Sequence, residues 1–211
     1  WEGPYGNFGS KKHLLASLDQ SLKRMDLEYV DIFYHHRMDP DTPVEESMMA
    51  LAQAVHSGKA LYAGISNYDR KHTIQAMEIM KDLKCPLIIN QRRYSIFDRT
   101  IEEDGVKEAA SAAGLGIICF SPLAQGLLTD KYLHGIPRDS RIARDPRFLK
   151  KDSLTETRLE QIKGLNALAV ERGQTLAQMA LSWILKDNDI TSVLIGASRP
   201  EQITENIEII H

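Results

Sequence analysis

The stretch Tyr29–Ser66, which reads YVDIFYHHRMDPDTPVEESMMALAQAVHSGKALYAGIS, contains the unit that decides the fold. Two runs of β-forming residues, Tyr29–Tyr34 and Leu61–Ser66, flank a segment with the apolar spacing of a helix. Thr42 with Glu45 three residues later predicts a capping box at the start of that helix. Both β runs are apolar stretches and not strict alternations, which is typical of parallel strands that are covered by helices.

The same alternation of helix and strand continues on both sides of this stretch. We expect further helices over Lys11–Met25, Lys71–Leu83, Glu102–Ala113, Thr155–Arg172, Thr175–Lys186 and from Ser198 onward. Further strands are expected over Pro86–Asn90, Gly116–Phe120 and Thr191–Ile195, and a long loop over Gly126–Asp152. Five strands that alternate with helices predict an α/β fold with a parallel sheet.

The pattern alone does not separate an open doubly wound sheet from a (β/α)8 TIM barrel. An open dinucleotide-binding sheet carries G-x-G-x-x-G after its first strand, and this sequence has no such motif, which favours the barrel. A barrel needs eight strands, so three strands are expected to precede Trp1. We therefore expect residues 1–211 to be a single domain that forms part of a barrel, from its third helix through its final βα unit.

Composition narrows the class of partner. The chain has 211 residues and a formal net charge of −3, which argues against nucleic acid because that partner favours a basic surface. No apolar run approaches the roughly 18 residues that a membrane span needs, so no membrane insertion is expected. Cys85 and Cys119 stand in apolar runs without CxxC spacing, which predicts inert core thiols, no metal site and a cytoplasmic location.

Ligands of parallel α/β folds bind at the carboxyl ends of the strands, so the residues at those positions are the candidate site. Most are uncharged or weakly basic hydrogen-bonding side chains, and one is an aromatic ring: His36, Ser66, Asn67, Gln91, Phe120 and Ser198. This set suits a flat polar heteroaromatic ligand such as nicotinamide and does not suit a metal ion. Ser198 is also expected to cap the last helix and, with Arg199, to form an anion site.

Six segments carry a resemblance to a known family. These are YVDIFYHHRMDP, YAGISNY, NQRRYSIFDR, FSPLAQGLLTDKY, GIPRDSR and SVLIGASRPEQITEN. In order and spacing the chain resembles the aldo-keto reductases, in the branch of the bacterial glyceraldehyde-3-phosphate reductases and the potassium-channel beta subunits. The resemblance implies NADPH-dependent reduction of small aldehydes or ketones, such as methylglyoxal or glyceraldehyde 3-phosphate. A small carbonyl substrate is then the main partner, and a homo-oligomer is compatible with it.

The resemblance also implies a role for each matching residue. His36 matches the catalytic histidine that orients and polarises the substrate carbonyl. Ser66, Asn67 and Gln91 match the residues that hold the carboxamide of the nicotinamide. Phe120 matches the aromatic residue that stacks on the nicotinamide ring. The loop that lies along the pyrophosphate is represented here by Ser121, Pro122, Leu123, Ala124 and Gln125. The loop that folds over the cofactor is represented by Lys131 and Arg141. The residues that match the family's binding site for the adenosine end are Gly196, Ser198, Gln202, Glu205 and Asn206. Contacts to the 2′-phosphate at this end favour NADPH over NADH.

Two alternatives stay open at this point. The family's Asp, Tyr and Lys tetrad residues are expected upstream of Trp1, so this chain by itself is not expected to catalyse the full reaction and is alternatively an inactive fragment. The other alternative is an NADPH-binding regulatory subunit that resembles the channel beta subunits. His36 favours the enzyme.

Overall fold

A computed structural model of the chain describes residues 8–85, 87–138, 140–144, 147 and 149–210. The chain divides into two compact units. Unit 1 consists of Trp1–Arg92 with Ile101–Ile118, and unit 2 of Arg93–Thr100 with Cys119–His211. Each unit is described by itself.

Helices and strands alternate along the described chain. The strands are β1 Val30–His35, β2 Ala60–Ser66, β3 Leu87–Arg93, β4 Gly116–Phe120 and β5 Ser192–Val193. The helices are α1 Lys11–Met25, α2 Val44–His56, α3 Arg70–Asp82, α4 Thr100–Glu103, α5 Val106–Ala112, α6 Arg141–Arg144, α7 Glu156–Glu171, α8 Leu176–Ile184 and α9 Pro200–Ile207. Short 3-10 helices cover Ala124–Gly126, Asp130–Tyr132, Lys151–Ser153 and Glu208–Ile210.

The five strands form one sheet in the order β1-β2-β3-β4-β5. β1 pairs with β2 in parallel, with Tyr34 opposite Gly64, and β2 pairs with β3 in parallel, with Ser66 opposite Gln91. The order in the sheet is therefore the order in the chain, and the prediction of a parallel α/β fold is confirmed. Since parallel strands run in one direction, β1, β2 and β3 all end at the same edge of unit 1.

Helix α1 shows how the sequence sets these elements. The hydroxyl of Ser10 accepts a hydrogen bond from the His13 backbone N–H at 3.3 Å, which starts the helix. The stripe Leu14, Leu18 and Leu22 is buried, and each leucine contributes about 1.5–3 kcal/mol by leaving water. The helix ends before Asp26, in the left-handed conformation at φ 55°. The predicted bounds, Lys11–Met25, are confirmed.

Helices α2 and α3 cover one face of β1 and β2 and form the main core of unit 1. Its buried members come from both layers: Met48, Leu51, Ala52, Ala63, Ile65, Tyr68, Ala76, Met80 and Cys85. Core burial of this kind explains why β1 and β2 are apolar runs. Cys85 and Cys119 are both buried thiols, as predicted.

The predicted capping box at Thr42 is wrong. Helix α2 begins at Val44, and its N-cap residue Pro43 makes no side-chain capping bond. The Thr42 hydroxyl instead donates to Asp39 Oδ2 at 2.8 Å. Asp39 is buried and also accepts from the backbone N–H of Gly9 at 3.0 Å, so Thr42 helps to satisfy a buried carboxylate and does not cap the helix.

The helix predicted over Glu102–Ala113 is interrupted. It is divided into α4 and α5 at Asp104 and Gly105, and Gly105 has a φ of 72° that glycine adopts without strain. The Asp104 carboxylate accepts from Arg92 at 2.8 Å and from the Val106 backbone N–H at 3.0 Å. This long-range ion pair holds Asp104 outside a regular helix.

Unit 2 has a separate core between the loop after β4 and helices α7 and α8. Leu127, Leu128 and Tyr132 of the loop pack with Ile162 and Leu176. The capping box predicted at the start of α8 is confirmed, since Thr175 and Gln178 each bond the other's backbone N–H. Among the described residues, no helix is long and apolar enough to cross a membrane.

Candidate functional site

The two adjacent histidines at the end of β1 occupy different environments. His36 is exposed, whereas the side chain of His35 is buried at 1% exposure. His35 Nδ1 and the hydroxyl of Tyr68 are hydrogen-bonded at 2.6 Å, and Tyr68 belongs to the core under α2 and α3. Alternation along a strand turns consecutive side chains to opposite faces, which accounts for the burial of His35 next to the exposed His36.

Burial keeps His35 neutral. Loss of solvent lowers the pKa of His35 to about 4, with smaller contributions in the same direction from His36 and His13 and an opposing one from Asp39. Burial also raises the pKa of the Tyr68 hydroxyl above its usual range, so Tyr68 stays protonated. His35 Nε2 is buried without a hydrogen-bond partner among the described residues. The pair is thus an uncharged support behind the strand end that carries His36.

Ser66 and Asn67 connect the ends of the three strands of unit 1. The Ser66 hydroxyl donates to Gln91 O at 3.0 Å, and the Asn67 backbone N–H donates to the same oxygen at 3.0 Å. The Asn67 amide nitrogen donates to His36 O at 3.1 Å and to Ser66 Oγ at 3.0 Å. Asn67 has a φ of 61°, a left-handed conformation that asparagine tolerates better than most residues. Four predicted site residues are therefore brought together: His36, Ser66, Asn67 and Gln91.

A buried polar network lies directly behind these residues, and sequence reasoning missed most of it. The Asn90 amide nitrogen donates to Tyr68 O at 3.2 Å and to Thr73 Oγ1 at 3.0 Å, and Arg92 also donates to Tyr68 O. Arg92 in turn pairs with Asp104. The available sequence clue was alternation along β3, which turns Asn90 and Arg92 to the helix-covered face while Gln91 turns to the other.

The Gln91 side chain is the part of this group best placed to take a ligand. It is half-buried, and neither of its polar atoms has a hydrogen-bond partner among the described residues. An amide offers both a donor and an acceptor to a flat polar ligand. A nicotinamide carboxamide fits this chemistry, since Asn67 Oδ1 and the Gln91 amide provide both kinds of group within unit 1.

In unit 2, the loop after β4 follows half-buried Phe120 and contains an unusual backbone. Ser121, Ala124 and Gln125 have φ values of 54°, 47° and 63°, although none is glycine. The Gln125 amide donates to Ser121 Oγ at 3.0 Å, and the Arg141 guanidinium donates to Gln125 Oε1. The loop thus has a cation attached to it. The other predicted loop residues are placed with Pro122 and Ala124 buried, Leu123 half-buried and Lys131 exposed.

The residues predicted for the adenosine end lie around the start of α9 in unit 2. Arg199, and not Ser198, is the N-cap of α9, so the predicted capping role of Ser198 is wrong. Because α9 begins at Pro200, Ser198 lies one residue before the cap position, and its backbone N–H and hydroxyl both donate to Gln202 Oε1, at 2.8 and 3.2 Å. Gly196 and Glu205 are exposed, and Asn206 is buried.

An apolar cleft of about 390 Å³ lies elsewhere in unit 1, away from the strand ends described above. Its lining is mostly apolar, with two charged side chains from α3: Ile74, Met77, Glu78, Met80, Lys81, Cys85, Leu87 and Ala113. Burial raises the pKa of the Cys85 thiol, so the thiolate is disfavoured there. The cleft has few polar groups to orient a carbonyl compound, and we place the candidate site at the strand ends.

Comparisons with known proteins show which family the chain is similar to. The model of the aldo/keto reductase family matches residues 1–211. L-glyceraldehyde 3-phosphate reductase of Escherichia coli (strain K12) is 55% identical over 214 residues, which cover 100% of this chain and 62% of that protein. A probable voltage-gated potassium channel subunit beta of Oryza sativa subsp. japonica is 38% identical, covering 98% of this chain and 64% of that protein.

A solved structure gives the same result for the fold. The thermostable aldo-keto reductase Tm1743, determined with the inhibitor epalrestat, superposes with a TM-score of 0.73 at 28% identity. The match covers 95% of this chain and 61% of that one. The prediction of a partial (β/α)8 barrel is confirmed, and the chain spans less than two thirds of the length of these relatives.

Proposed function

The chain belongs to the aldo/keto reductase family, and we propose that the protein reduces small aldehydes and ketones to alcohols, with NADPH as the hydride donor. The observation that carries this proposal is the hydrogen-bonded group His36, Ser66, Asn67 and Gln91 at the ends of β1, β2 and β3. This group places the exposed imidazole of His36 on the same strand ends as amide side chains that suit a nicotinamide carboxamide. Because the chain spans 62% of the E. coli relative, the proposed activity is that of the full-length protein.

His36 is the residue to which we assign catalysis. Its exposed ring has nitrogen atoms that can hydrogen-bond to a carbonyl oxygen, which orients the substrate and favours negative charge on that oxygen. When bound, NADPH supplies the hydride to the carbonyl carbon. The residues of the chain bind and orient the reactants, which is the role of the protein in an enzyme whose cofactor carries out the hydride transfer.

We assign the cofactor contacts residue by residue from the family resemblance. The carboxamide end is assigned to Ser66, Asn67 and Gln91, and the face of the nicotinamide to Phe120. The pyrophosphate is assigned to the loop Ser121–Gln125 with Lys131 and Arg141, where a cation already contacts the loop. The adenosine end is assigned to Gly196, Ser198, Gln202, Glu205 and Asn206, and the neighbouring Arg199 would favour a 2′-phosphate and therefore NADPH over NADH.

The substrate we propose is a small aldehyde such as glyceraldehyde 3-phosphate or methylglyoxal, supported by the name of the E. coli relative. We further propose a cytoplasmic protein, on the grounds of its two buried thiols, and no nucleic-acid or membrane partner, on the grounds of its net charge of −3. A homo-oligomer is compatible with this proposal.

The test uses the full-length protein, nicotinamide fluorescence for NADPH binding, and absorbance at the NADPH band for turnover. Saturable NADPH binding with reduction of glyceraldehyde 3-phosphate is expected. His36→Ala should lower kcat by about two to three orders of magnitude, the usual cost of removing one hydrogen-bond donor to a developing oxyanion, while NADPH still binds. The matched control His56→Ala, at the exposed end of α2, should leave both unchanged.

Two outcomes would contradict the proposal in different ways. Saturable binding without turnover of any small carbonyl compound would favour the regulatory alternative, in which the protein resembles the channel beta subunits. No binding by a protein that melts cooperatively would overturn the cofactor assignment.

A further inference from the structure

Arg37 directly follows His36, and the functions assigned above give it no role. Its side chain is exposed and makes no hydrogen bond or ion pair with any residue that the structure describes. A guanidinium stays protonated over the whole working range of pH. The end of β1 therefore carries a permanent positive charge on the residue next to the proposed catalytic histidine.

The peptide group that joins His36 to Arg37 is held in place by a neighbouring strand end. Its oxygen, His36 O, accepts a hydrogen bond from Asn67 Nδ2 at 3.1 Å, and the Asn67 backbone N–H donates to Gln91 O at 3.0 Å. The Cα atoms of consecutive residues lie about 3.8 Å apart. The backbone of Arg37 is therefore positioned together with that of His36, and its long side chain extends from there into solvent.

The carboxylates close to this position do not neutralise the charge of Arg37. Asp39 is buried, and its oxygens accept hydrogen bonds at 2.8–3.1 Å from three nearby groups: the Gly9 N–H, the Asp41 N–H and the Thr42 hydroxyl. Asp69, which follows the end of β2, accepts from the ring and the backbone N–H of His72. The guanidinium of Arg37 is therefore available to an anionic group of a ligand.

Other cations near this edge of the sheet are placed differently. Arg92 is buried and paired with Asp104 at 2.8 Å. The Arg70 side chain lies along Gly105, where an added Cβ atom would be 3.1 Å from Arg70 Cδ. Both side chains are thus directed towards the segment between α4 and α5, whereas Arg37 follows the proposed catalytic residue.

We propose that Arg37 binds the phosphate group of the substrate, and that the protein acts on phosphorylated aldehydes in preference to neutral ones. The planar guanidinium forms paired hydrogen bonds with phosphate oxygens, which adds orientation to the attraction between the charges. In glyceraldehyde 3-phosphate the carbonyl and the phosphate stand at opposite ends of a short chain, so His36 and Arg37 would each hold one end. This inference rests on the proposed function and deepens it by assigning a residue to the choice of substrate class.

The experiment measures NADPH-dependent reduction of glyceraldehyde 3-phosphate and of glyceraldehyde, its counterpart without the phosphate, by the full-length protein. Wild type is expected to have the higher kcat/KM for the phosphate ester. Arg37→Gln should lower that kcat/KM about 10- to 100-fold, the value of one hydrogen bond to a charged group, mainly by raising KM. Its kcat/KM for glyceraldehyde and its Kd for NADPH should be unchanged, which also shows that the variant is folded.

Two further variants separate direct binding from a general effect of charge. Arg37→Lys keeps the charge and loses the paired hydrogen bonds, so its kcat/KM for the phosphate ester should lie between those of wild type and Arg37→Gln. Lys71→Gln removes an exposed cation from the first turn of α3 and should leave the kcat/KM of both substrates unchanged. Added salt should reduce the preference of wild type for the phosphate ester, because it screens exposed charges.

The outcomes distinguish this inference from the proposed function. If the wild-type protein neither binds NADPH nor reduces either aldehyde, the proposed function fails and the inference falls with it. If wild type reduces both aldehydes and Arg37→Gln has the wild-type ratio of the two kcat/KM values, Arg37 does not bind the phosphate, and the inference is overturned while the proposed function stands. An equal loss of that preference in Lys71→Gln, or weaker NADPH binding by Arg37→Gln, overturns it as well.

Discussion

The Tyr68 hydroxyl lies 2.6 Å from His35 Nδ1, and both side chains are buried, at 0% and 1% exposure. A buried hydrogen bond of this kind matters mainly when one partner is removed, because the other is left without solvent or a replacement. Tyr68→Phe should therefore lower the free energy of unfolding by about 1–3 kcal/mol, measured by urea titration. The control Tyr29→Phe removes a hydroxyl from an exposed ring and should change it by less than about 0.5 kcal/mol. Equal effects of the two substitutions would contradict the prediction.

The depressed pKa of His35 makes stability depend on pH in a defined window. The pKa is about 4 in the folded protein, against about 6.5 for an exposed histidine, so the unfolded chain binds the proton more tightly. Stability is therefore unaffected above pH 6.5, decreases as the pH falls from 6.5 to 4, and levels off below that, for a total loss on the order of 3 kcal/mol. Burial raises the pKa of Asp39, but its hydrogen bonds lower it by more, so the net pKa is below the ordinary value. The contribution of Asp39 to stability is therefore lost only at lower pH.

Unfolding titrations at pH 7 and pH 5 check this window. The loss of stability between the two pH values should be smaller in His35→Gln, which has no proton to gain, than in wild type. His56→Gln, at an exposed position, should keep the wild-type difference. A variant without His35 that shows the full wild-type loss would rule out His35 as its source.

Gly64 is predicted to be intolerant of a side chain. A Cβ atom at this position would lie 2.7 Å from Cε1 of Tyr34 and 3.0 Å from Cγ2 of Ile89, so the tyrosine ring would have to move. Gly64→Ala should lower the free energy of unfolding by about 1–3 kcal/mol, the usual cost of overpacking. Gly164→Ala in the middle of α7 meets nothing within 4 Å and should instead raise it by up to about 1 kcal/mol. Opposite signs in thermal melts of the two variants are the expected result.

Arg141 provides a test of the pyrophosphate assignment. Its guanidinium donates to Gln125 Oε1, which places a positive charge at the loop after β4. Arg141→Ala should weaken NADPH binding about tenfold or more, and the difference should shrink at high salt because screening weakens exposed charge interactions. Arg144→Ala, on the same short helix, is the control and should have little effect. An identical loss in both variants would indicate only a general effect of net charge.

Sequence reasoning succeeded where a local pattern determines the structure. The bounds of α1 and β4 and the capping box at Thr175 depend on apolar spacing and on contacts within a few residues. It failed where a distant partner intervenes. Arg92 binds Asp104 and interrupts a helix, and Asp39 attracts the Thr42 hydroxyl away from α2.

The candidate site followed the same division. The identities of the strand-end residues in unit 1 were readable from the chain, and the structure brings His36, Ser66, Asn67 and Gln91 together. The hydrogen-bond partners of the Ser66 hydroxyl and the Asn67 amide could not be predicted, because the carbonyl that each one binds belongs to another strand. At Ser198 the expected helix cap is absent, and the hydroxyl instead donates to Gln202 Oε1 of the helix that follows.

The order of the strands in unit 1 has a consequence for how the chain folds as it is synthesised. β2 pairs with β1 and β3 pairs with β2. When β2 or β3 is synthesised, the strand with which it pairs has therefore already left the ribosome. No parallel pair can form before the intervening helix is complete, because a crossover needs a dozen or more residues. The growing chain should therefore add stability in steps of one helix and one strand, and a stalled ribosome should hold a nascent sheet that is paired up to the last strand delivered.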